Sequence, residues 1–230
     1  MDSQNMAALV NVSMFLLILS ALPFLAFVAY VVLNSPLATP LVRWRAENAF
    51  RKQNYDLAAK LYTQLQHWQE HLEGHVYARK AAQSLEMAGS LREALEHYRL
   101  AEDWPKVGHL LQETGQMEEA KAVFREHQIF ARLVLCYELE NDFLQAGLLY
   151  EQELDKRHKA EQSYKKALND KDPEVRLSAQ LYLVRLYLGS ERAEEARSLY
   201  QQVEQEMNSS VQFQEFPELQ VLRTTIGQLL

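Results

Sequence analysis

The chain begins with a long segment that carries no charged side chain, from Ser3 to Val42. Within it, the residues from Met6 to Leu33 are almost all apolar. As a helix they would extend about 42 Å, at about 1.5 Å per residue. The apolar core of a bilayer requires only about 20 such residues. The segment therefore predicts a single membrane-spanning helix at residues 6–33, within an anchor that covers residues 1–34.

A cleaved secretory signal is the alternative interpretation of this segment. Such a signal has a basic start, an apolar core of about 7–15 residues and a small-x-small cleavage site. Here Asp2 is the only charged residue before the apolar run, and Pro36 and Pro40 follow the run. The run is also about twice as long as a signal core. These differences favour an uncleaved anchor.

The residues that flank the apolar run predict its orientation. Basic residues follow it at Arg43 and Arg45, whereas none precedes it. Because basic flanks stay on the cytoplasmic side, we expect a single-pass protein whose C-terminal domain is cytoplasmic. A bacterial inner membrane is the favoured location, and an organelle membrane is possible. Arg43, Trp44 and Arg45 are expected to lie at the membrane–water interface.

The rest of the chain is acidic and rich in helix-forming residues. The chain has 24 basic and 31 acidic residues, a net charge of −7, and every charged residue except Asp2 lies after Val42. An acidic surface without a basic stripe argues against nucleic-acid binding. Leu, Ala, Glu, Gln and Arg dominate after residue 43, whereas Gly and Pro are sparse, so an all-α domain is expected.

A three-residue motif recurs along this part of the chain. It consists of an alanine, an aromatic residue four positions later and a third residue three positions further, which is small or apolar in four of the copies. These spacings place all three residues on one helix face. The alanine lets a neighbouring helix approach, and the ring fills the space between the helices. The copies predict these packing residues: Ala58 and Tyr62, Ala94 and Tyr98, Ala120 and Phe124, Ala160 and Tyr164, Ala196 and Tyr200.

The copies recur at intervals typical of a helix–turn–helix repeat, about 34–36 residues in the clearest cases. Each follows a predicted turn, and three of the turns contain Gly, which suits a left-handed helix end. Residues 53–62, 89–98 and 194–200 resemble the tetratricopeptide repeat (TPR) superfamily. The resemblance implies an α-solenoid of helix pairs at residues 43–207. A proline-containing linker at 35–42 is expected before it, and a loop with a capping helix at 208–230 after it.

Two stretches depart from regular helix pairs. The short interval between the second and third copies leaves room for only a short helix, at about Trp104 to Glu113. Residues 128–169 contain a weaker copy of the motif at Ala146 and predict three helices instead of two pairs. Asp172 before Pro173 predicts the start of the next helix, because Asp suits the N-cap and Pro the first helical position.

The resemblance also implies a binding surface. In the superfamily, the first helix of each pair lines a groove that binds segments of partner proteins. By that resemblance the groove candidates are Arg43, Glu47, Arg79, Lys80 and Gln83. One subclass grips the carboxylate of chaperone tails with Lys and Asn residues. Here Glu47 and Lys80 stand where the two asparagines are expected, which argues against chaperone tails. The alternative is that these charges only solvate helix faces.

Candidate catalytic and metal-binding residues are few. No phosphate loop, Gly-rich nucleotide motif or nucleophile elbow is present in the sequence. His67, His71 and His75 recur every four residues, but Gly74 interrupts the segment and no further Cys or His completes a metal site. Cys136, the single cysteine, lies in an apolar segment and is expected to be buried. We therefore expect no catalytic residue, no metal and no cofactor.

These observations favour a non-enzymatic, membrane-tethered scaffold for protein–protein interaction. The specific expectation is a structural or assembly subunit of a larger membrane-associated complex, with other protein subunits as partners. No nucleic acid and no small-molecule substrate are expected. Two alternatives stay open: a targeting or import receptor that binds peptide segments in the groove, and a periplasmic assembly chaperone.

Overall fold

The described part of the chain is helical throughout. The computed structural model describes residues 23, 25–28, 30–32, 35–190, 192–209 and 217–228, and every regular element in them is a helix. The helices form two compact units, residues 1–114 and 115–230. Within each unit, helices pack mainly against their neighbours in sequence. The all-α prediction is therefore confirmed for the described residues.

The helices follow the predicted order. The first unit contains a 3-10 helix, Pro36–Ala38, followed by α1 (Thr39–Arg51), α2 (Tyr55–Trp68), α3 (Gly74–Ala88), α4 (Leu91–Leu100) and α5 (Trp104–Glu113). The second unit contains α6 (Met117–Glu126), α7 (Phe130–Leu139), α8 (Phe143–Gln152), α9 (Arg157–Ala167), α10 (Pro173–Leu188), α11 (Ala193–Ser209) and α12 (Pro217–Gly227). The predicted short helix is α5, and α7, α8 and α9 are the three helices expected at residues 128–169.

Most of the predicted membrane-spanning segment, residues 6–33, lies outside the described residues. Those of its residues that are described, 23, 25–28 and 30–32, are helical and exposed. In the described part of the chain, no single helix has both the length and the apolar content that crossing a membrane requires. The helical stretches Leu25–Val32 and Pro36–Arg51, which meet at a bend of 75°, satisfy both criteria together.

Residues 35–42, expected to be a linker, are folded onto the first unit instead. Pro36 begins the 3-10 helix and Pro40 lies in the first turn of α1, where a missing N–H group costs nothing. Ala38 and Val42 are buried in a core cluster with residues of α1, α2 and α3. The first unit therefore begins before residue 43, because these two side chains complete its core.

The predicted packing residues lie on the buried faces of α2, α4, α6, α9 and α11. The alanines of all five copies are fully buried. The rings of Tyr62, Tyr98, Phe124 and Tyr164 are buried as well. Tyr200 is only half-buried, and its hydroxyl lies 3.4 Å from the carbonyl oxygen of Arg223 in α12. Four of the five aromatic positions are thus confirmed as core residues.

The left-handed conformation predicted for the turn glycines is found at two of the three. Gly89 and Gly115 have φ angles of 83° and 78°, which is the left-handed conformation expected at a helix end. Gly189 has a φ of −74°, so the prediction is wrong there. The turn after α10 is closed instead by the hydroxyl of Ser190, which donates to the carbonyl oxygen of Leu186 at 2.7 Å.

The C-terminal region differs slightly from the expected loop and capping helix. α11 continues to Ser209, so positions 208 and 209 are helical and not part of a loop. Residues 210–216 lie outside the described part. α12 packs against α10, and Arg223 forms an ion pair with Glu204 of α11 at 3.5 Å. A C-terminal helix at the predicted position therefore covers the last helix pair.

A glutamate in α3 connects three consecutive helices of the first unit. The hydroxyl of Tyr98 in α4 donates to Glu86, and the ammonium group of Lys106 in α5 donates to the same carboxylate at 3.1 Å. Burial raises the pKa of Tyr98, and its hydrogen bond to Glu86 raises it further. Burial alone also raises the pKa of Glu86, but the bonds from Tyr98 and Lys106 bring it below its ordinary value.

The second unit repeats this arrangement. Glu138 of α7 accepts a hydrogen bond from Tyr150 of α8 at 3.1 Å. Glu151 of α8 accepts from Tyr164 of α9 at 2.7 Å and from Arg185 of α10 at 2.9 Å. Charge-assisted bonds of this kind are stronger than neutral ones. The glutamates were not identified from the sequence, although Glu86 and Glu138 both precede a motif alanine by eight positions.

Glu161 of α9 makes the stability of the second unit dependent on pH. Its carboxylate accepts from Lys165 at 2.7 Å and from Arg192 at 3.1 Å. Burial alone raises the pKa of Glu161, but these two bonds lower it to about 2. The folded-state pKa of Glu161 lies below the ordinary value of 4.5. The stability that its carboxylate contributes to the fold is therefore fully present above pH 4.5 and is lost as the pH falls towards 2.

We therefore expect Glu161→Gln to lower the free energy of unfolding by about 1–2 kcal/mol at pH 7. The difference from the wild type should shrink as the pH falls from 4.5 towards 2, since the wild-type carboxyl then becomes protonated as well. Chemical denaturation of both proteins at pH 7, 4 and 3 measures this difference. A difference that stays constant with pH would show that the carboxylate charge contributes nothing.

Candidate functional site

An open cavity of about 250 Å³ in the first unit gathers three of the five groove candidates. We call it the groove cavity. It is lined by Glu47, Phe50 and Arg51 of α1, Tyr62 of α2, and Lys80 and Gln83 of α3. Three helices thus contribute both aromatic rings and charged or amide groups to one opening.

Helix periodicity determines which side chains reach the groove cavity. Glu47, Phe50 and Arg51 are three and four residues apart and share one face of α1, as Lys80 and Gln83 do on α3. The other side of α1 carries Ala46 and Ala49, which are buried in the core cluster. Because these side chains are small, α1 can approach α2 closely, and this fixes the position of the cavity wall.

The ring of Tyr62 lies beside the charges of Glu47 and Lys80. It is 4% exposed, and the ammonium nitrogen of Lys80 lies 5.5 Å from the ring centroid, which is a cation–π distance. Burial raises the pKa of Tyr62, and the carboxylate of Glu47 raises it further. The phenol therefore stays neutral at pH 7 and can donate a hydrogen bond into the cavity.

The two opposite charges of the groove cavity are only weakly held together. Lys80 Nζ lies 3.7 Å from Glu47 Oε1, and both side chains are more than a third exposed. Ion pairs at such positions contribute about 0–1 kcal/mol. An incoming partner could therefore separate Glu47 from Lys80 at little cost and pair with either group.

Arg43 is placed beside the groove cavity and not in it. Its Nε donates to the hydroxyl of Tyr77 at 2.8 Å, and its Nη2 lies 2.8 Å from Glu73 Oε2. The hydrogen bond with Tyr77 raises the pKa of Arg43. Arg43 thus joins α1 to α3, and its contacts support a structural role more than direct partner binding.

Arg79 is also directed away from the groove cavity. Its Nε lies 2.9 Å from Oδ2 of Asp103, the residue immediately before α5. This ion pair connects α3 to the turn between α4 and α5. Of the five sequence candidates, the structure therefore brings together Glu47, Lys80 and Gln83.

Three lining residues were not proposed as binding residues from the sequence. Tyr62 was expected only as a packing residue, and Phe50 and Arg51 were not identified. The sequence contained a signal for these two residues, since Phe50 and Arg51 lie about one helical turn after Glu47 and so share its helix face. The ring of Phe50 is held in position by an edge-on contact with Tyr55, whose ring centroid lies 5.4 Å away.

The other residues considered from the sequence lie apart from this cavity. His67, His71 and His75 are exposed around the turn between α2 and α3, and no set of three or more potential ligands for a metal occurs among the described residues. Cys136 is fully buried in α7, as predicted. Trp44 and Arg45, expected at a membrane interface, are both exposed on α1.

The chain is similar to solved structures but matches no known sequence family. No family model and no curated protein sequence matches it. It is similar to the crystal structure of a TPR repeats protein from Bacteroides fragilis, with a TM-score of 0.41 and 13% identity over 84% of this chain and 99% of that one. BtubC from P. vanneervenii is similar with a TM-score of 0.31 and 15% identity, over 84% of this chain and 91% of that one.

Proposed function

We propose that this protein is a membrane-tethered scaffold for protein–protein interaction, and that it is a structural or assembly subunit of a membrane-associated complex. The observation that carries the proposal is the groove cavity, with its aromatic wall and its weakly paired charges. Aromatic side chains and charged groups of this kind supply much of the energy at protein interfaces. The partner is therefore another protein subunit, and neither a nucleic acid nor a small-molecule substrate.

The chemistry of the groove cavity suits a polypeptide segment with charges of both signs. Phe50 offers apolar ring surface to a side chain of the partner. Glu47 and Lys80 can each pair with an opposite charge, and the amide of Gln83 can both donate and accept hydrogen bonds. Recognition in this arrangement requires no catalytic group, metal or cofactor.

The tether determines where binding takes place. A span at residues 6–33 would hold the scaffold beside other membrane subunits and raise their effective concentration. The basic residues Arg43 and Arg45 after the span favour a cytoplasmic C-terminal part, with a bacterial inner membrane as the proposed location. The almost wholly apolar run of residues 6–33 supports the tether by its length, which exceeds the about 20 residues that a bilayer core requires.

We expect stoichiometric membrane subunits to co-purify with the full-length tagged protein in mild detergent. Lys80→Glu should reduce their recovery at least about tenfold, because a loss of about 1.4 kcal/mol in binding energy gives that factor. The matched control is Lys171→Glu, which makes the same charge change at an exposed turn before α10. A monomer that retains no partner would contradict the subunit proposal and would favour a transient receptor.

A truncated chain tests whether the partner binds to the groove cavity or to the apolar segment. It should begin at residue 35, because a start at residue 43 would remove Ala38 and Val42 from the core cluster. Partners retained by this chain and lost in Lys80→Glu would place recognition in the groove cavity. Partners lost in the truncated chain and retained by Lys80→Glu would place it in the apolar segment.

A further inference from the structure

α1 and the 3-10 helix before it carry a row of exposed apolar side chains. Leu37, Leu41 and Trp44 are 80%, 45% and 62% exposed. Their spacing of four and three residues places them on one side of the helix. We call these three residues the α1 stripe. Ala46 and Ala49, which are buried, occupy the opposite side of α1. The α1 stripe therefore faces away from the core of the first unit.

One more exposed apolar side chain lies in the turn that contacts the start of α1. Leu72, in the turn before α3, is 77% exposed. This turn follows Gln69, whose side-chain nitrogen lies 3.4 Å from the hydroxyl of Thr39 at the start of α1. Exposed apolar surface is thus contributed from two positions in the sequence to one end of the first unit.

The charges around the α1 stripe differ from those of the chain as a whole. The chain has a net charge of −7, yet α1 has basic residues at Arg43, Arg45 and Arg51 and a single acidic one, Glu47. Glu47 lies beside Lys80 at the groove cavity. Arg45 is exposed and follows Trp44 directly. A Trp next to basic residues, on an otherwise apolar helix face, is complementary to the headgroup region of an anionic membrane.

The bend before α1 gives this helix a direction relative to the segment that precedes it. Leu25–Val32 and Pro36–Arg51 meet at 75°. If the first of these helices runs along the membrane normal, the second lies nearly parallel to the membrane surface. Residues Leu37 and Leu41 also belong to the uncharged segment that continues from Ser3 to Val42. The chain is therefore free of charge from the proposed span as far as the first two residues of the α1 stripe.

We propose that α1 lies in the membrane interface, with the α1 stripe inserted between lipid headgroups and acyl chains. Arg45 then lies at the level of the lipid phosphates, and the first unit is held against the bilayer surface. This inference extends the proposed function, since the tether sets the direction of α1. It adds a lipid-binding face that is separate from the groove cavity.

Spin labels on the full-length protein test this proposal. Leu41→Cys and Trp44→Cys are introduced separately into a Cys136→Ala background, and Leu100→Cys is the control, since Leu100 is 60% exposed at the end of α4 in the same unit. The labelled proteins are placed in nanodiscs of phosphatidylcholine and phosphatidylglycerol. Collision with oxygen reports lipid contact, and collision with a water-soluble nickel chelate reports water contact.

We expect labels at positions 41 and 44 to collide several-fold more with oxygen than with nickel, and the label at position 100 to show the reverse. Nickel access at positions 41 and 44 equal to that at position 100 would overturn the proposal. Shielding from both reagents would overturn it as well, because it indicates that a protein covers the stripe.

Extraction with alkaline carbonate distinguishes failure of this inference from failure of the tether. A chain that stays in the membrane while its stripe is open to nickel overturns the inference alone. A chain that carbonate releases, but whose stripe is shielded by lipid in nanodiscs, supports the inference and contradicts the membrane span of the proposed function.

Discussion

Replacing Gly147 with alanine is expected to destabilise the second unit by about 2 kcal/mol, because overpacking of a well-packed core costs about 1–3 kcal/mol. Gly147 is buried in α8 against the ring of Tyr164 in α9. A Cβ atom added at Gly147 would lie 2.5 Å from Cε1 and 2.6 Å from Cδ1 of that ring. Such distances require the ring or one of the two helices to move.

The ring of Tyr164 has little freedom to move. It is fully buried and stacks on Tyr182 of α10, with ring centroids 5.6 Å apart. Its hydroxyl donates to Glu151 at 2.7 Å. The overlap must therefore be relieved by separating α8 from α9. Alanine gains about 1 kcal/mol of helix propensity over glycine, which offsets only part of this cost.

Gly189→Ala provides the matched control for this substitution. Gly189 has a φ of −74°, and the nearest atoms to an added Cβ are carbonyl oxygens at 3.7 Å, an ordinary contact distance. This variant should stay within about 0.5 kcal/mol of the wild type. Chemical denaturation gives both free energies of unfolding. Equal stability of the two variants would show that Tyr164 and α9 adjust to the extra atom freely.

Replacing Glu151 with leucine is expected to cost about 2–4 kcal/mol, since it leaves a partly buried guanidinium and a buried hydroxyl without their acceptor. Glu151 is 18% exposed and Arg185 is 31% exposed. Burial raises the pKa of Tyr164, and the hydrogen bond to Glu151 raises it further. The carboxylate therefore satisfies two groups from two other helices, α9 and α10.

A double-mutant cycle separates this loss from a general effect of substitution at Glu151. Arg185→Met removes the charge that depends on Glu151, so the double variant should lose less stability than the two single variants added together. Glu153→Leu, at an exposed position just after α8, should change stability by about 0.5 kcal/mol or less. Strict additivity of Glu151→Leu and Arg185→Met would mean that the pair contributes nothing to stability.

The sequence by itself determined the class of the fold and the faces of its helices. Helix propensity and the spacing of alanine and aromatic residues are local properties, and they correctly predicted buried positions such as Ala94 and Tyr98. The sequence signals that mark where a helix begins are local as well. The carboxylate of Asp172 accepts from the backbone N–H of Glu174 at 2.9 Å, as expected for an N-cap before Pro173.

Sequence reasoning failed where the outcome depends on a distant neighbour. Two prolines made residues 35–42 resemble a linker, yet Ala38 and Val42 are buried because α2 and α3 supply a surface for them. Gly189 was expected to end α10 in a left-handed turn, but it is right-handed, and its carbonyl oxygen accepts a hydrogen bond from Arg157 of α9 at 2.9 Å.

Only the tertiary structure decided which side chains meet. The resemblance to TPR repeats proposed Glu47 and Lys80 as groove residues, but their meeting beside Tyr62 requires α1 and α3 both to pack against α2. The contact of Gly147 with Tyr164 likewise depends on how α8 lies on α9. The physical reason is that periodicity tells which side of a helix is buried, whereas the partner on that side is chosen by packing between helices.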